Sequence, residues 1–330
     1  MDLLIVDALD AEVMQWLESR HEVRFAPELA LDSREFRQAL HNVRALILPS
    51  RVAFSEKTLQ YAPVLRAVGR VHSGAENIDL EACARAGVEV VRSAAATALA
   101  EAEFMIGAGL SLLRRVPVAG LDGMLVGREL GSCTVGLLGM SASAKAMAGM
   151  LSGFGCRMVA YDPSIHASDG IWPRWQLEPV PLRELIEISD LLCVQLSYFT
   201  RYRRLLGERL LPTCKQNQVL VSITHSAVFD QDVLAEVLRN GRMAAAWLDS
   251  LEPGALDEGQ PLHGLSNLQV TPQVASTTRE SRLRSAWAVA RRIDDLLSVA
   301  PRISRSAAVP VRPPEPEDAP TGPATEPGSP

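Results

Sequence analysis

The chain has no basic run, no CxxC pair and no apolar stretch as long as a membrane span, and each absence removes a class of function. Net charge is −6, so neither a nucleic acid nor an anionic membrane surface has a cationic patch to meet, and neither is an expected partner. A bilayer-crossing helix needs roughly 18 or more consecutive apolar residues. The opening residues MDLLIVDALDAE carry acids and no basic leader, so a cytoplasmic protein is expected. The five cysteines Cys83, Cys133, Cys156, Cys193 and Cys214 are scattered and odd in number. That suits reduced core thiols, argues against a disulfide framework or a zinc site, and leaves no metal centre to expect.

What is present begins with length: 330 residues allow two domains with real cores. Residues 133–162, CTVGLLGMSASAKAMAGMLSGFGCRMVAYD, read as strand, tight turn, helix and second strand ending in an acid. Val135 to Leu138 is an apolar run of strand length that stops at Gly139. Ala142, Lys145, Ala146, Met147, Met150 and Leu151 recur at helical spacing until Phe154 and Gly155, and Met158 to Tyr161 reads as the next strand. This is the plan of a dinucleotide-binding βαβ unit. Asp162, about 20 residues past the turn, stands where a carboxylate accepts hydrogen bonds from an adenosine ribose. It favours NAD over NADP, whose 2′-phosphate it would repel.

The glycines of that turn are scarce. The usual GxGxxG is GxSxxA here, carried by Gly139, Ser141 and Ala144. Gly139 supplies the sharp turn, and alanine suffices at the third position, where only close helix-to-strand packing is needed. Ser141 adds a Cβ and a hydroxyl where backbone would approach a pyrophosphate, so weakened NAD binding is expected, although the hydroxyl could itself bond a phosphate.

Elsewhere strands at Leu3 to Val6, Ala45 to Leu48, Leu65 to Val68 and Val88 to Val91, with a helix near Ala11 to Ser19, read as a second α/β domain. After the nucleotide unit the alternation continues through strands at Leu191 to Leu196, Val219 to Thr224 and Met243 to Leu248, with helices around Leu182 to Ile188 and Asp230 to Leu238. A final helix, about Thr277 to Leu297, is long enough to run back to the first domain. From about Pro301 the chain is rich in proline and nearly free of large apolar side chains, and reads as a disordered tail or a polyproline ligand around Pro313 to Pro316.

Seven stretches carry a family resemblance: GRVHSGAENIDLEACARAGVEVV at 69–91, AEAEFMIGAGLSLLRRVP at 100–117, GLLGMSASA at 136–144, YDP at 161–163, VLVSITHSAVFDQDVL at 219–234, NGRMAAAWLDSLEP at 240–253 and NLQVTPQVASTT at 267–278. In order and spacing they resemble the D-isomer-specific 2-hydroxyacid dehydrogenases. The resemblance implies an α/β fold in which a Rossmann-type nucleotide-binding domain is inserted into a flavodoxin-like substrate domain. Here the implied boundaries are 1–98 for the first part of the substrate domain, 99–272 for the nucleotide domain, 273–300 for the returning helix and 301–330 for the tail. A small ligand would lie in the cleft between the domains. The apolar helix near residues 99–116 would form a homodimer, or serve simply as a core helix.

Carried over residue by residue, the resemblance makes the family's three catalytic side chains all different. The arginine that grips a 2-oxo acid sits in NTARGG, which here reads SITHSA and gives His225. The carboxylate that orients the catalytic histidine falls at Gly254, with Glu252 matching an earlier, non-catalytic acid; a register slip of two residues would make Glu252 the candidate. The acid/base histidine of TPH becomes Gln273. His72 replaces a glycine in the substrate loop, and LSYF at Leu196 to Phe199 replaces LPLT. The implied coenzyme residues are Gly139, Ser141, Ala142, Ser143, Ala144, Asp162, Thr224 and Asp249, the last meeting the nicotinamide amide or serving only as a turn residue.

A guanidinium offers a fixed fork of donors to a carboxylate, whereas an imidazole offers at most two. A glutamine amide neither delivers nor accepts a proton near neutrality, and general acid/base catalysis contributes about 10²–10⁴-fold. The expected protein is therefore a catalytically impaired member that works as a ligand- or partner-binding dimer with weakened NAD binding. The alternative is a divergent NAD-dependent oxidoreductase, with His225 or His72 as proton donor to a substrate lacking the usual carboxylate.

Overall fold

The computed structural model describes residues 1–71, 77–119 and 121–298. His72 and the proline-rich tail, both singled out above, lie outside the described residues. The first sheet grows from short apolar runs: β1 (Leu3–Ile5), α1 (Ala11–Glu18), β2 (Val23–Phe25), α2 (Ser33–Ala39), β3 (Ala45–Ile47), α3 (Glu56–Leu59), β4 (Ala67–Arg70), α4 (Leu80–Arg85) and β5 (Glu89–Arg92). All five strands are parallel, in the order β2-β1-β3-β4-β5, the flavodoxin-type arrangement. The residues of β1 and β3 are wholly buried, as expected of parallel strands covered on both faces. β4 starts two residues later than the apolar run predicts, because Leu65 closes a turn onto the Ala62 carbonyl. β2 is an exposed edge that sequence reading missed, because three residues are too few to announce a period.

α5 (Ala94–Arg115) leads out of this sheet and begins five residues ahead of the predicted 99. Residues 95–115 are long and apolar enough, by composition, to cross a bilayer, contrary to the sequence expectation. Ala102, Met105, Ala108, Leu112 and Leu113 on α5 are buried in the core of the second sheet, which accounts for the apolar face. After it come a hairpin of β6 (Val118–Ala119) and β7 (Leu125–Val126), then β8 (Thr134–Leu138), α6 (Ala142–Leu151), β9 (Arg157–Tyr161), α7 (Ile171–Arg174) and β10 (Glu178–Pro179). α8 (Leu182–Ile188), β11 (Leu191–Val194), β12 (Gln218–Ser222), α9 (Gln231–Arg239), β13 (Met243–Leu248) and β14 (Leu268–Val270) complete the sheet. Its order is β10-β9-β8-β11-β12-β13-β14, parallel throughout: the two-halved Rossmann order plus a seventh strand. Strand order reverses between β8 and β11, so the crevice at their carboxyl ends is where such a sheet takes its ligand.

The last helix, α10 (Arg279–Ser298), returns to the first sheet. Val289, Ala290, Ile293 and Leu297 pack into the core beside β1, β3 and β4. Gly69 on β4 makes room for it, since a Cβ there would stand 2.7 Å from a Val289 methyl. Arg292 clasps Glu89 of β5 with two hydrogen bonds of 2.7 and 2.8 Å, and Asp294 accepts from Arg20 at 3.0 Å and pairs with His21 at 2.8 Å. Met1–Ser298 form one compact unit.

Candidate functional site

Two regions of the cleft carry the candidate residues. At the first, β8 ends and the chain turns at Gly139, whose φ is +99°. A Cβ there would fall 2.6 Å from Leu196 Cα and 2.7 Å from its backbone nitrogen, so the turn tolerates only glycine. The Met140 amide donates to Asp162 Oδ2 at 2.8 Å, which ties the turn to the end of β9. Oδ1 of Asp162 accepts from the Ser164 amide at 2.8 Å and its hydroxyl at 2.5 Å. Each carboxylate oxygen has two acceptor positions, so Asp162 keeps capacity for a ribose hydroxyl on Oδ2.

Ser141 does something the sequence did not announce. It is the N-cap of α6: its Oγ accepts the Ala144 amide at 3.2 Å and shares a 2.8 Å hydrogen bond with Ser143 Oγ. The hydroxyl is folded back on the helix, a conventional capping role. Ala142, Ser143 and Ala144 form the first turn, where free amides and the positive end of the helix dipole face the crevice. Glu101 of α5 lies near Ser143 and near Thr97 on its own helix. Burial holds the Glu101 carboxyl above the ordinary glutamate range, and the nearby Asp249 charge adds to the rise. Sequence reading missed Glu101 inside an apolar helix. The signal was its spacing, four residues after Thr97 and four before Met105, both fully buried.

Gln195, at the exit of β11, was also missed. It is 3 % exposed, yet neither amide atom has a hydrogen-bond partner. Cys193 belongs to the core formed with α5 and α6, whereas Val194 and Leu196 belong to the opposite one, so strand alternation turns Gln195 toward α5 and α6. Thr224, buried behind it, donates its hydroxyl to the Leu196 carbonyl at 3.1 Å. Asp249 is committed to the β14 exit: Oδ1 accepts from the Thr271 hydroxyl at 2.6 Å and the Val274 amide at 2.9 Å, and Oδ2 from the Ala275 amide at 2.9 Å.

The second region is a cavity of about 390 Å³ lined by Ser50 and Asn77 from the first sheet and by His225, Ser250, Leu251, Glu252, Pro253 and Gln273 from the second. His225 caps a short 3₁₀ turn, its Nδ1 accepting the Ala227 amide at 3.2 Å. That leaves the proton of the neutral ring on Nε2, a single donor. The ring stacks on Tyr198, centroids 4.9 Å apart and planes 22° apart, a pairing that gives the LSYF segment its place in the site. Gln273 has a left-handed backbone, φ +56°, and its amide lies 3.4 Å from Ser250 Oγ. Glu252 lines this cavity with His225, while Gly254 lines only an adjoining one of about 580 Å³. The structure thus brings His225, Gln273 and Glu252 together and leaves Gly254 outside.

The coenzyme cradle fits a dinucleotide at the Gly139 turn, the α6 N-terminus and Asp162. A sequence model of the D-isomer specific 2-hydroxyacid dehydrogenase NAD-binding domain matches residues 119–275. The chain is 28 % identical over 295 residues to an (S)-sulfolactate dehydrogenase of Chromohalobacter salexigens, covering 87 % of this chain and 95 % of that protein. It is 32 % identical over 250 residues to a glyoxylate reductase of Aeropyrum pernix, covering 71 % and 74 %. A crystal structure of a protein from Thermus thermophilus superposes with a TM-score of 0.74 at 25 % identity, covering 90 % of this chain and 97 % of that one. With a parallel Rossmann sheet, a glycine turn and relatives aligned along most of its length, the chain belongs to the D-isomer-specific 2-hydroxyacid dehydrogenase family, whose cofactor is NAD.

Proposed function

We propose that this member binds NAD(H) but is impaired in reducing 2-oxo acids, and that it serves as a ligand-binding homodimer. One observation carries the reading: among the described residues lining the substrate cavity there is no arginine or lysine, and there is an acid, Glu252. A small 2-oxo acid such as the glyoxylate of the reductase relatives is an anion, and without a fixed cation it loses a clamp worth several kcal/mol in comparable sites. Gln273 offers an amide where a proton must be delivered. When bound, NAD supplies the hydride donor or acceptor. The Gly139 turn and the first turn of α6 would hold its pyrophosphate and Asp162 its ribose, with the Ser141 side chain, where the usual motif has glycine, weakening the binding.

A second reading draws on His225 and Glu252 sharing one cavity, an imidazole that donates through Nε2 beside a carboxylate. That pair supports a divergent NAD-dependent oxidoreductase acting on a carbonyl substrate without a carboxylate. Titrating NADH by its fluorescence and assaying a panel of 2-oxo acids and aldehydes separates the two. Binding without turnover supports the impaired reading, whereas aldehyde turnover abolished by His225→Ala establishes the oxidoreductase. The homodimer is supported by the β6–β7 hairpin, which leaves Leu121, Met124, Leu125 and Val126 exposed. Sedimentation should give a dimer that Leu125→Glu dissociates, and a monomeric native protein would refute it.

A further inference from the structure

The cavity of about 390 Å³ between the two sheets is rich in hydrogen-bond acceptors and poor in donors. Asn77 donates Nδ2–H to the Pro49 carbonyl at 3.1 Å and to that of Val52, while its Oδ1 is buried with no partner. A buried acceptor left unpaired is unfavourable, and an N–H from a guest would satisfy it. Glu252 adds a carboxylate, its backbone fixed by an amide bond to Ser226 Oγ at 3.2 Å. Among the described residues no cation forms an ion pair with it. Gln273 directs its amide nitrogen to Ser250 Oγ at 3.4 Å and keeps a carbonyl oxygen, and the His225 ring has only Nε2–H to give. Residues 72–76, HSGAE, lie outside the described residues and include no lysine or arginine. The arginines nearest in sequence, Arg51 and Arg70, do not line the cavity, and Arg70 donates to the Leu48 carbonyl at 3.4 Å.

We propose that the guest of this cavity is a small organic cation, a protonated amine, with Glu252 as its counter-ion and Asn77 Oδ1 accepting one of its N–H bonds. The proposal deepens the reading above and rests on it, since it takes this cavity as the ligand site. An ammonium group carries donors and no acceptor, the complement of this wall, and its hydrogen bonds to a carboxylate are charge-assisted. Glu252 is exposed, and an exposed ion pair by itself contributes little. The buried Asn77 oxygen supplies a second anchor on the first sheet's side, so an amine engages both walls of the cleft where a carboxylate would meet Glu252 as a like charge.

The test is calorimetry of the full chain at neutral pH, with and without NADH, using ethanolamine, ethylene glycol and glycolate, three two-carbon probes that differ in charge. Ethanolamine should bind about tenfold more tightly than glycolate, with ethylene glycol between them, and Glu252→Gln should weaken ethanolamine by about tenfold and erase the preference. NADH affinity measured in parallel reports whether the variant is folded, and the order of the three probes on the native chain is decisive even without it. Glycolate binding as tightly as ethanolamine, glycolate binding that Arg51→Ala abolishes, or ethanolamine binding that persists undiminished in Glu252→Gln overturns the cation site and leaves the coenzyme reading intact. No ethanolamine binding at concentrations on the order of tens of millimolar also overturns it, because four well-placed heavy atoms can supply at least millimolar affinity. Oxidation of glycolate in the presence of NAD overturns instead the reading of impaired chemistry.

Discussion

The coenzyme end and the substrate end of the cleft are built from different materials. At Gly139 the site is backbone: a left-handed turn, a close approach by Leu196 and helix amides capped by Ser141. At the other end it is side chains, with His225, Gln273 and Glu252 carried on loop segments beyond β12, β13 and β14. A backbone device is fixed by packing and persists with any sequence that folds this way. A side-chain device depends on the identity of a few residues, and here those residues supply neither a fixed cation nor an acid/base histidine in the TPQ segment. A shared fold therefore argues strongly for the first end and says little about the second.

Four experiments sharpen or break this contrast. The largest effect belongs to Gly139→Ala, where a Cβ meets Leu196 backbone at 2.6 Å in a left-handed turn. Urea unfolding should show a loss of about 3 kcal/mol. His225→Ala should stay within about 1 kcal/mol, and equal losses would break the comparison. Next, His225→Arg combined with Gln273→His should raise glyoxylate reduction by about 10²-fold if the substrate end alone limits chemistry. An unchanged rate in a protein that still binds NADH would show that the fault lies elsewhere.

Gln273→Gly releases a left-handed, exposed residue and should stabilise the fold by about 1 kcal/mol, read as a higher urea midpoint. The smallest effect is the pH dependence of Glu101→Gln. Because the folded-state carboxyl is raised, wild type has its full stability below the unfolded glutamate range and loses some as pH climbs through the folded value. The variant should thus be the more stable protein in alkali, with the gap closing in acid; an opposite trend in paired melting curves would contradict the assigned burial.

Much of the architecture was legible because period and punctuation are local. β13 matches the predicted Met243 to Leu248 to the residue, and α9 starts one residue after the predicted Asp230, whose carboxylate accepts the Val233 amide as N-cap. β2 and β14 were missed because short edge strands carry little apolar signal. Site residues were read less completely. Gly139 and Asp162 declare themselves through a turn and a strand end, and both lie in the cradle. Glu101 was passed over because an acid within an apolar helix looks like one more surface residue until its neighbours are known. The resemblance placed Gly254 in the active constellation and kept Glu252 as the alternative of a two-residue slip; the cavity with His225 is lined by Glu252, and the adjoining one by both. In a loop, that offset depends on how the chain turns, which no residue pattern encodes.

The sequence by itself determined the βαβ alternation, the apolar strands and the one obligatory glycine of the turn, because each follows from interactions within a few residues. Only the tertiary structure decided that Tyr198 stacks on His225, that Asp249 accepts from residues 271–275, that α10 closes onto Gly69, and that Glu101 comes near Ser143 and Asp249. Those neighbours come from different crossovers of the sheet. Their proximity is set by strand order and helix packing, which act over distances that local propensity does not reach.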